Sequence, residues 1–355
     1  MTERQEQFIY LLRLGLWGKS LEQRTVRLDD KAWRDMWQMA MHQTVQGIVY
    51  DGMCLLPTDE QPSPMLLTMW GDNTKEIARE NRKQQVQLVQ LHYFFETEHH
   101  HRFCLVKGQT VARHYRQPHH RYCGDLDLWF GNEKRMEQAN RLIESTGIEV
   151  QRGIGDALYP WSGTTVEHHS RLIDLQNPMK KRSLMAWEQK VFDESHEEPL
   201  AEANLLLQMT HILKHFIKGG GLGFRHICDL AVSMRSLEYD EGKLQALCRK
   251  YGIYRWADML TSLVHQMLEV PLEELPFPCK EDPQPLFDEM WASGNFGMAD
   301  TRFGEHPEGR WGSKWHTAKK VWKKSKVFYR VAPGECIWNF LQMVCGNVMT
   351  MFRKN

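Results

Sequence analysis

The sequence lacks an excess of charge of either sign, since Lys plus Arg and Asp plus Glu each number 45. Because proteins that bind nucleic acid over a broad surface usually carry a basic excess, any basic function must be confined to one part of the chain. The sequence also lacks a run of about 18 apolar residues, which excludes a conventional membrane-spanning helix. Its start, MTERQEQF, has none of the basic and then apolar pattern of a signal peptide. We therefore expect a cytoplasmic protein.

Cysteine pairs at metal-binding spacing are absent as well. The eight cysteines are dispersed and none forms a CxxC pair, so a structural zinc knuckle is not expected. Dispersed cysteines without a secretion signal are typical of reduced thiols that pack as small apolar groups. A hydrophobic content of 42% and a charged content of 25% are those of an ordinary globular protein.

The pattern of elements predicts an α+β fold, with a small mixed β-sheet core embedded in a mostly helical shell. Strand patterns occur only in the second quarter of the chain, and helical periodicity dominates on both sides of it. This predicts four regions: an N-terminal helical region at 1–101, an α/β core at 102–180, a second helical region at 181–270, and a linker with C-terminal basic and apolar helices at 271–355.

Several individual elements follow from the same patterns. One helix is expected over roughly 31–53. In the core, an acidic strand is expected at 125–130, with further strands at 148–152, 164–169 and 172–175.

The acidic strand carries the clearest functional signal. Asp125 and Asp127 are two residues apart, so on a strand their side chains point to the same face. Like charges that close resist joint ionisation unless a cation lies between them. Because Mg²⁺ prefers carboxylate oxygens together with substrate phosphates, the pair predicts a metal–nucleotide site. The alternative is an edge strand with one solvated polar face.

Two other segments favour the metal–nucleotide interpretation. The tetrapeptide KGQT at 107–110 lies between an apolar strand and a predicted helix, where glycine lets the backbone approach a phosphate. Glu167 supplies a third carboxylate on another predicted strand, and His169 shares its face. Three carboxylates from adjacent strands can hold two metal ions for phosphoryl transfer. Asp174 is the alternative third carboxylate.

The segments LVKGQTVARHYRQPHHRYCGDLDLWF at 105–130 and VEHHSRL at 166–172 resemble the nucleotidyltransferase superfamily that includes DNA polymerase beta. They are more closely similar to an uncharacterised bacterial nucleotidyltransferase family with the pattern LKG…R…GDxDLLV…VExHW. The resemblance implies transfer of a nucleoside monophosphate from an NTP to an acceptor hydroxyl, with Mg²⁺ (or Mn²⁺) as cofactor. It leaves the acceptor open: a small molecule, a protein or RNA.

Carried onto this sequence, the resemblance also implies roles for particular residues. The metal-binding and catalytic residues would be Asp125, Asp127 and Glu167, with Glu167 also accepting the proton of the attacking hydroxyl. The nucleotide-binding residues would be Lys107, Gly108, Gln109, Thr110, Arg121 and Gly124. The chain departs from the family where Gln109 replaces the usual Ser and Ser170 the usual Trp. A nucleotide-binding protein without turnover, and an RNA- or partner-binding protein, are the alternative functions.

Three further features have less specific interpretations. His211 and His215 lie one helical turn apart, but without an evident third ligand packing is favoured over zinc binding. Arg225 and Asp229 are four residues apart on a predicted helix and are expected to form an ion pair.

The segment 311–330 is rich in Lys and contains no acidic residue. A stripe at helical spacing is formed by Trp311, Trp315, Ala318, Trp322, Ser325 and Tyr329. We expect this stripe to pack on the core, with the basic face solvated. The alternative is contact with an anionic partner such as RNA or a membrane surface.

Overall fold

The computed structural model describes residues 1–297, 300–304 and 310–352, of which 296, 310–315 and 344–352 are described by their backbone alone. The fold is α+β, with one small mixed sheet inside a mostly helical shell, as predicted. The strands are β1 (Cys104–Val106), β2 (Leu126–Trp129), β3 (Gln151–Arg152), β4 (Asp156–Trp161) and β5 (Thr164–His169).

The strand order in the sheet is β1-β2-β5-β4-β3. The central strands β2 and β5 are parallel, whereas the other neighbouring pairs are antiparallel. The register of β2 and β5 places Asp127 beside Glu167. Side chains alternate between the two faces of the sheet. One face therefore packs into a small core with Leu126 and Leu128, and the other, with Trp129, meets the large core of the helical shell.

Strand β4 was not predicted, and a predicted strand at 172–175 is wrong. Strand β4 joins β5 through Ser162 and Gly163, which have positive φ values of 49° and 82°, so this Ser-Gly pair was the missed turn signal. In the 172–175 segment the N–H of Ile173 donates to the Glu188 carboxylate at 2.7 Å. The backbone there is therefore satisfied by a side chain instead of a neighbouring strand.

The first helices are α1 (Glu3–Trp17), α2 (Asp30–His42), α3 (Gln46–Met53) and α4 (Pro64–His92). The single helix expected over 31–53 is wrong, because Thr44 adopts a left-handed φ of 55° between α2 and α3. The side-chain oxygen of Gln43, at this break, accepts the N–H of Phe224 at 3.0 Å. The break is thus tied to a segment far along the chain.

The remaining helices build the shell around the sheet. They are α5 (Gly108–Ala112), α6 (Glu133–Ser145), α7 (Pro178–Glu194), α8 (Ala201–Ile217), α9 (Arg225–Ser236), α10 (Glu241–Tyr251), α11 (Tyr254–Leu268), α12 (Gln284–Ser293), α13 (Arg310–Phe328) and α14 (Pro333–Phe352). In the described part of the chain, no helix combines the length and apolar character needed to span a bilayer.

Helix α13 buries a face that overlaps the predicted stripe only in part. Trp322 and Tyr329 of the stripe are exposed, and Ser325 of the stripe is buried together with Val321, Lys324 and Phe328. Burial of Lys324 is possible because its ammonium pairs with the carboxylate of Glu289 at 2.8 Å. Hydrophobic periodicity does not indicate a buried lysine on this helix. The side chains of Trp311 and Trp315, also in the predicted stripe, lie outside the described residues.

Candidate active site

A cavity of about 1120 Å³ lies between the sheet and helices α7, α8 and α9. On the sheet side, its wall includes the turn after β1, the start of β2 and the end of β5. On the helical side, its wall includes the C-terminal half of α8 and the first turns of α9. The motifs singled out from the sequence therefore converge on one cavity.

Two carboxylates and one imidazole form a cluster in this cavity. Asp127 and Glu167 lie side by side on the parallel strands β2 and β5. His169 follows Glu167 by two residues, and its Nε2 lies 2.6 Å from Asp127 Oδ1 and 3.8 Å from Glu167 Oε2. Atoms of these three side chains that can ligate a metal all lie within 4.8 Å of one another. The sequence places His169 on the same face as Glu167 but does not indicate it as a ligand.

Lys107 reaches this cluster from the sharp turn after β1. Its φ of 57° is unusual for a residue other than glycine, and Gly108 next to it has a φ of 27°. The turn brings Lys107 Nζ to 2.9 Å from Asp127 Oδ1. A Cβ on Gly108 would lie only 3.4 Å from the carbonyl oxygen of Asp125, so the turn packs closely against the chain entering β2. Gly124, on that entering chain, also lines the cavity.

The carboxylates of the site differ in their protonation. Burial alone raises the pKa of Asp127, but Lys107 and His169 outweigh it and hold that pKa well below its ordinary value. Burial raises the pKa of Glu167 and of Asp125, and the charge of Asp127 raises both further. The cavity therefore holds an ionised carboxylate next to two whose ionisation is opposed, an arrangement that a bound cation would relieve.

Asp125 lies outside the cluster of three. Strand β2 begins at Leu126, so Asp125 precedes the pleated segment that aligns Asp127 with its neighbours. Its half-buried side chain lines the same cavity, within electrostatic range of Asp127 and Arg225. The predicted pair of carboxylates is thus brought to one cavity, but only Asp127 joins the group with Glu167.

The side chains of Gln109 and Thr110 are used elsewhere. The Gln109 amide donates to Asn81 Oδ1 at 3.2 Å and to Gln84 Oε1 at 2.8 Å, both on α4. The Thr110 hydroxyl donates to the carbonyl oxygen of Lys107 at 2.6 Å and so braces the turn. Neither residue lines the cavity, although sequence reasoning grouped both with the nucleotide-binding residues.

Arg121 forms a buried bidentate pair with Asp229, at 3.0 Å from Nε and 2.6 Å from Nη2. Asp229 also accepts the hydroxyl of Tyr115 at 2.6 Å. The predicted ion pair between Arg225 and Asp229 is therefore wrong, because the buried Arg121 binds this carboxylate instead. The arginine joins α9 to the loop that leads into β2.

Arg225 is consequently available to the cavity that it lines. One of its Nη atoms donates to the carbonyl oxygen of Tyr122 at 3.0 Å. Its buried Nε has no hydrogen-bond partner in the part of the chain that the structure describes. The sequence indicated only a partner for Asp229, so this residue was missed as a cavity cation.

Three histidines form part of the helical wall. The ring of His211 lies 4.6 Å from that of His215 and 5.7 Å from that of His226, measured between centroids. Burial lowers the pKa of all three, to about 4 for His215, so they are neutral at pH 7. In the described ranges, only Asp127, Glu167 and His169 bring three atoms that can ligate a metal this close together. Packing stays the preferred interpretation of His211 and His215.

Asp174 also lines the cavity, but its carboxylate pairs with Lys214 on α8. Burial opposes ionisation of Asp174, and Lys214 outweighs it, so the pKa of Asp174 lies below its ordinary value. The alternative third carboxylate is thus neutralised by a lysine, whereas Glu167 lies beside Asp127.

Acidic side chains on adjacent strands of a small mixed sheet, facing a large polar cavity, are the kind of site that nucleotidyl transfer requires. A family model described as "Uncharacterised nucleotidyltransferase" matches residues 29–269, which is more than half of the chain. The chain therefore belongs to this nucleotidyltransferase family. No curated protein and no solved structure matches it. Helices α12, α13 and α14 lie beyond the matched residues.

Proposed function

We propose that this protein transfers a nucleoside monophosphate from an NTP to an acceptor hydroxyl and releases pyrophosphate, in a reaction that depends on a divalent metal ion. The observation that carries the proposal is the alignment of Asp127 and Glu167 on parallel strands in a large cavity that Lys107 and Arg225 also line. Membership of the family supports the same reaction class. A cytoplasmic location, where NTPs are abundant, belongs to this proposal.

The donor set fits a divalent cation. Carboxylate oxygens and an imidazole nitrogen are common ligands of such ions, and the three side chains are close enough to share one. Asp127 and Glu167 would hold the ion, with Asp125 adding an oxygen from the entrance to β2. The ion, Mg²⁺ or Mn²⁺, would neutralise phosphate charge and make the acceptor hydroxyl more acidic.

The surrounding residues would bind and orient the substrates. Lys107 and Arg225 would donate to phosphate oxygens, and the backbone at Gly108 and Gly124 would let the triphosphate approach the sheet. Glu167, next to the ion, would take the proton of the acceptor hydroxyl. Arg121, already bound to Asp229, would hold the loop before β2 in place.

Binding measurements test this proposal without knowledge of the acceptor. A metal ion that bridges protein carboxylates and phosphates couples the binding of metal and nucleotide. We therefore expect Mg²⁺ or Mn²⁺ together with at least one of the four common NTPs to raise the melting temperature by more than the sum of the separate shifts. Asp127→Asn should abolish this excess shift, whereas Asp174→Asn should retain it. Additive shifts with all four nucleotides would refute the nucleotide site.

A further inference from the structure

We infer that His169 is itself a ligand of the divalent ion, and that its nitrogen gives the site a preference for first-row transition-metal ions such as Mn²⁺ over Mg²⁺. The inference rests on the proposed function only in that both require a cation at Asp127 and Glu167. It adds a nitrogen donor to a centre for which the sequence indicated carboxylates alone.

The distances suit one shared ion. Two neighbouring ligands of an octahedral ion, each bonded at about 2.1 Å, lie about 3 Å apart. His169 Nε2 lies 2.6 Å from Asp127 Oδ1 and 3.8 Å from Glu167 Oε2, values on either side of that separation. Because the ligand atoms of all three side chains lie within 4.8 Å of one another, side-chain rotations alone could place them around a single ion.

The fold directs this imidazole into the cavity. Residues alternate along β5, so His169 shares the cavity face with Glu167 while His168 points to the small core. The ring of His168 is bound there on both sides, by Asn140 at 2.8 Å and Tyr159 at 2.9 Å. The carbonyl oxygen of His169 accepts the N–H of Phe130 at 3.0 Å, which fixes its backbone at the end of the strand.

The carboxylates keep free coordination capacity. Lys107 and His169 both contact the same oxygen of Asp127, Oδ1. In the described residues, the carboxylate of Glu167 has no partner closer than the imidazole of His169, at 3.8 Å. Oxygen atoms of both acids therefore remain open to a cation beside His169.

The donor set determines which ion is preferred. Mg²⁺ is a hard ion that takes oxygen ligands and gains little from an imidazole. Mn²⁺ and the later first-row ions accept carboxylates and bind imidazole nitrogen more strongly than Mg²⁺ does. Two carboxylates with one imidazole should therefore favour the transition-metal ion.

Metal binding to the full-length protein, with Mn²⁺ or Mg²⁺ alone, tests the inference. Pulsed electron paramagnetic resonance of the Mn²⁺ form should show coupling to a directly bound ¹⁴N nucleus. His169→Gln should abolish this coupling and weaken Mn²⁺ binding by at least the roughly 10–100-fold that loss of an outer partner of a metal ligand alone causes. Titration calorimetry should show that His169→Gln loses less affinity for Mg²⁺ than for Mn²⁺.

Two variants make the test specific. His169→Asp replaces the nitrogen with an oxygen, so it should still bind an ion but shift the preference towards Mg²⁺. His211→Gln alters another histidine of the same cavity and should leave the ¹⁴N coupling intact. Circular dichroism of each variant confirms that the comparison is made on folded protein.

Coupling that is absent from the wild type, or that persists in His169→Gln, would overturn the inference. An unchanged ratio of Mg²⁺ to Mn²⁺ affinity in a folded His169→Asp variant would overturn it equally. Because no nucleotide is used, these outcomes are separate from the fate of the proposed function. Intact ¹⁴N coupling in a protein without nucleotidyl transfer activity would contradict the proposed function but not the role of His169.

Discussion

Asp127 is the more buried of the two carboxylates in the cluster, with a side chain only 3% exposed against 23% for Glu167. Its ionised form is held by Lys107 at 2.9 Å and by His169 at 2.6 Å. Among the described residues, the carboxylate of the neighbouring Glu167 has no comparable partner, and burial and the charge of Asp127 raise its pKa. At the scale of single residues, the close carboxylates therefore destabilise the metal-free folded state, and a bound cation would remove this repulsion.

A pH-dependent gain in stability should follow from Glu167→Gln. An acid whose pKa is raised by folding destabilises the folded state as the pH rises above its ordinary value. Without metal, the variant should melt about 2 °C higher than the wild type at about pH 7, and the difference should vanish at about pH 4. Asp174→Asn is the matched control and should melt lower at pH 7, because Lys214 lowers the pKa of Asp174. Scanning calorimetry at both pH values measures these differences. A melting temperature of Glu167→Gln below that of the wild type at pH 7 would contradict the raised pKa of Glu167.

The residue-scale predictions from sequence were correct for β5, where alternation placed Glu167 and His169 on one face. The predictions were less accurate for β2, which begins at Leu126 and leaves Asp125 outside the cluster. They failed where partners come from distant elements. Helical spacing paired Asp229 with Arg225, whereas the fold supplies Arg121 from a loop more than a hundred residues earlier in the chain.

The break between α2 and α3 organises the elements around the site. Gln43 at the break accepts the N–H of Phe224 at 3.0 Å and so positions the start of α9, which carries Arg225. Gly47 in α3 lets the backbone at His120 approach closely, since a Cβ there would lie 2.1 Å from the carbonyl oxygen of His120. The same loop continues into Asp125.

Gly47→Ala should therefore be markedly destabilising. The added methyl group cannot fit beside the His120 backbone, and overpacking of this kind costs about 1–3 kcal/mol. Urea denaturation should show this decrease in the free energy of unfolding. Gly334→Ala is the control, because a Cβ at Gly334, in the first turn of α14, meets nothing closer than Asn177 at 3.8 Å. Equal stability of the two variants would show that α3 does not pack tightly against the backbone at His120.

The helix break illustrates what periodicity cannot predict. Gln43 and Thr44 carry no glycine or proline signal, and the hydrophobic pattern of 31–53 continues across them. The left-handed Thr44 accompanies contacts made by Gln43 with residues some 180 positions away. Helix α6, by contrast, begins at a local capping residue, since the side chain of Asn132 accepts the N–H of Arg135 at 3.0 Å.

At the scale of the whole molecule, the C-terminal helices beyond the family match are attached to the end of α8 and to the loop before α9. Lys324 on α13, only 1% exposed, pairs with Glu289 and donates to the carbonyl oxygen of Gly220, in the loop before α9. On α14, the Asn339 amide donates to the carbonyl oxygen of Ile217 at the end of α8 at 2.7 Å. The four-region division stays a prediction, but one large core includes residues from all four regions.

Lys324→Met tests how much the buried ion pair contributes. Removing the ammonium leaves the buried Glu289 carboxylate with Arg302 at 2.8 Å, so the cost should be about 1–3 kcal/mol, less than for an uncompensated buried charge. Lys323→Met removes a neighbouring but exposed lysine and should change the free energy of unfolding by no more than about 0.5 kcal/mol. Chemical denaturation of both variants at equal protein concentration measures their free energies of unfolding. A Lys324→Met variant as stable as Lys323→Met would mean that α13 is not anchored through this pair.

The central claim is that Asp127 and Glu167 carry metal-dependent nucleotidyl transfer, and pyrophosphate release tests it most directly. The full-length protein would be incubated with each NTP, Mg²⁺ or Mn²⁺, and a panel of hydroxyl acceptors, with products identified by mass. We predict metal-dependent pyrophosphate release that falls by about 100-fold or more in Asp127→Asn and Glu167→Gln, and that persists in Asp174→Asn. Turnover that is unchanged in folded Asp127→Asn and Glu167→Gln variants would contradict the account.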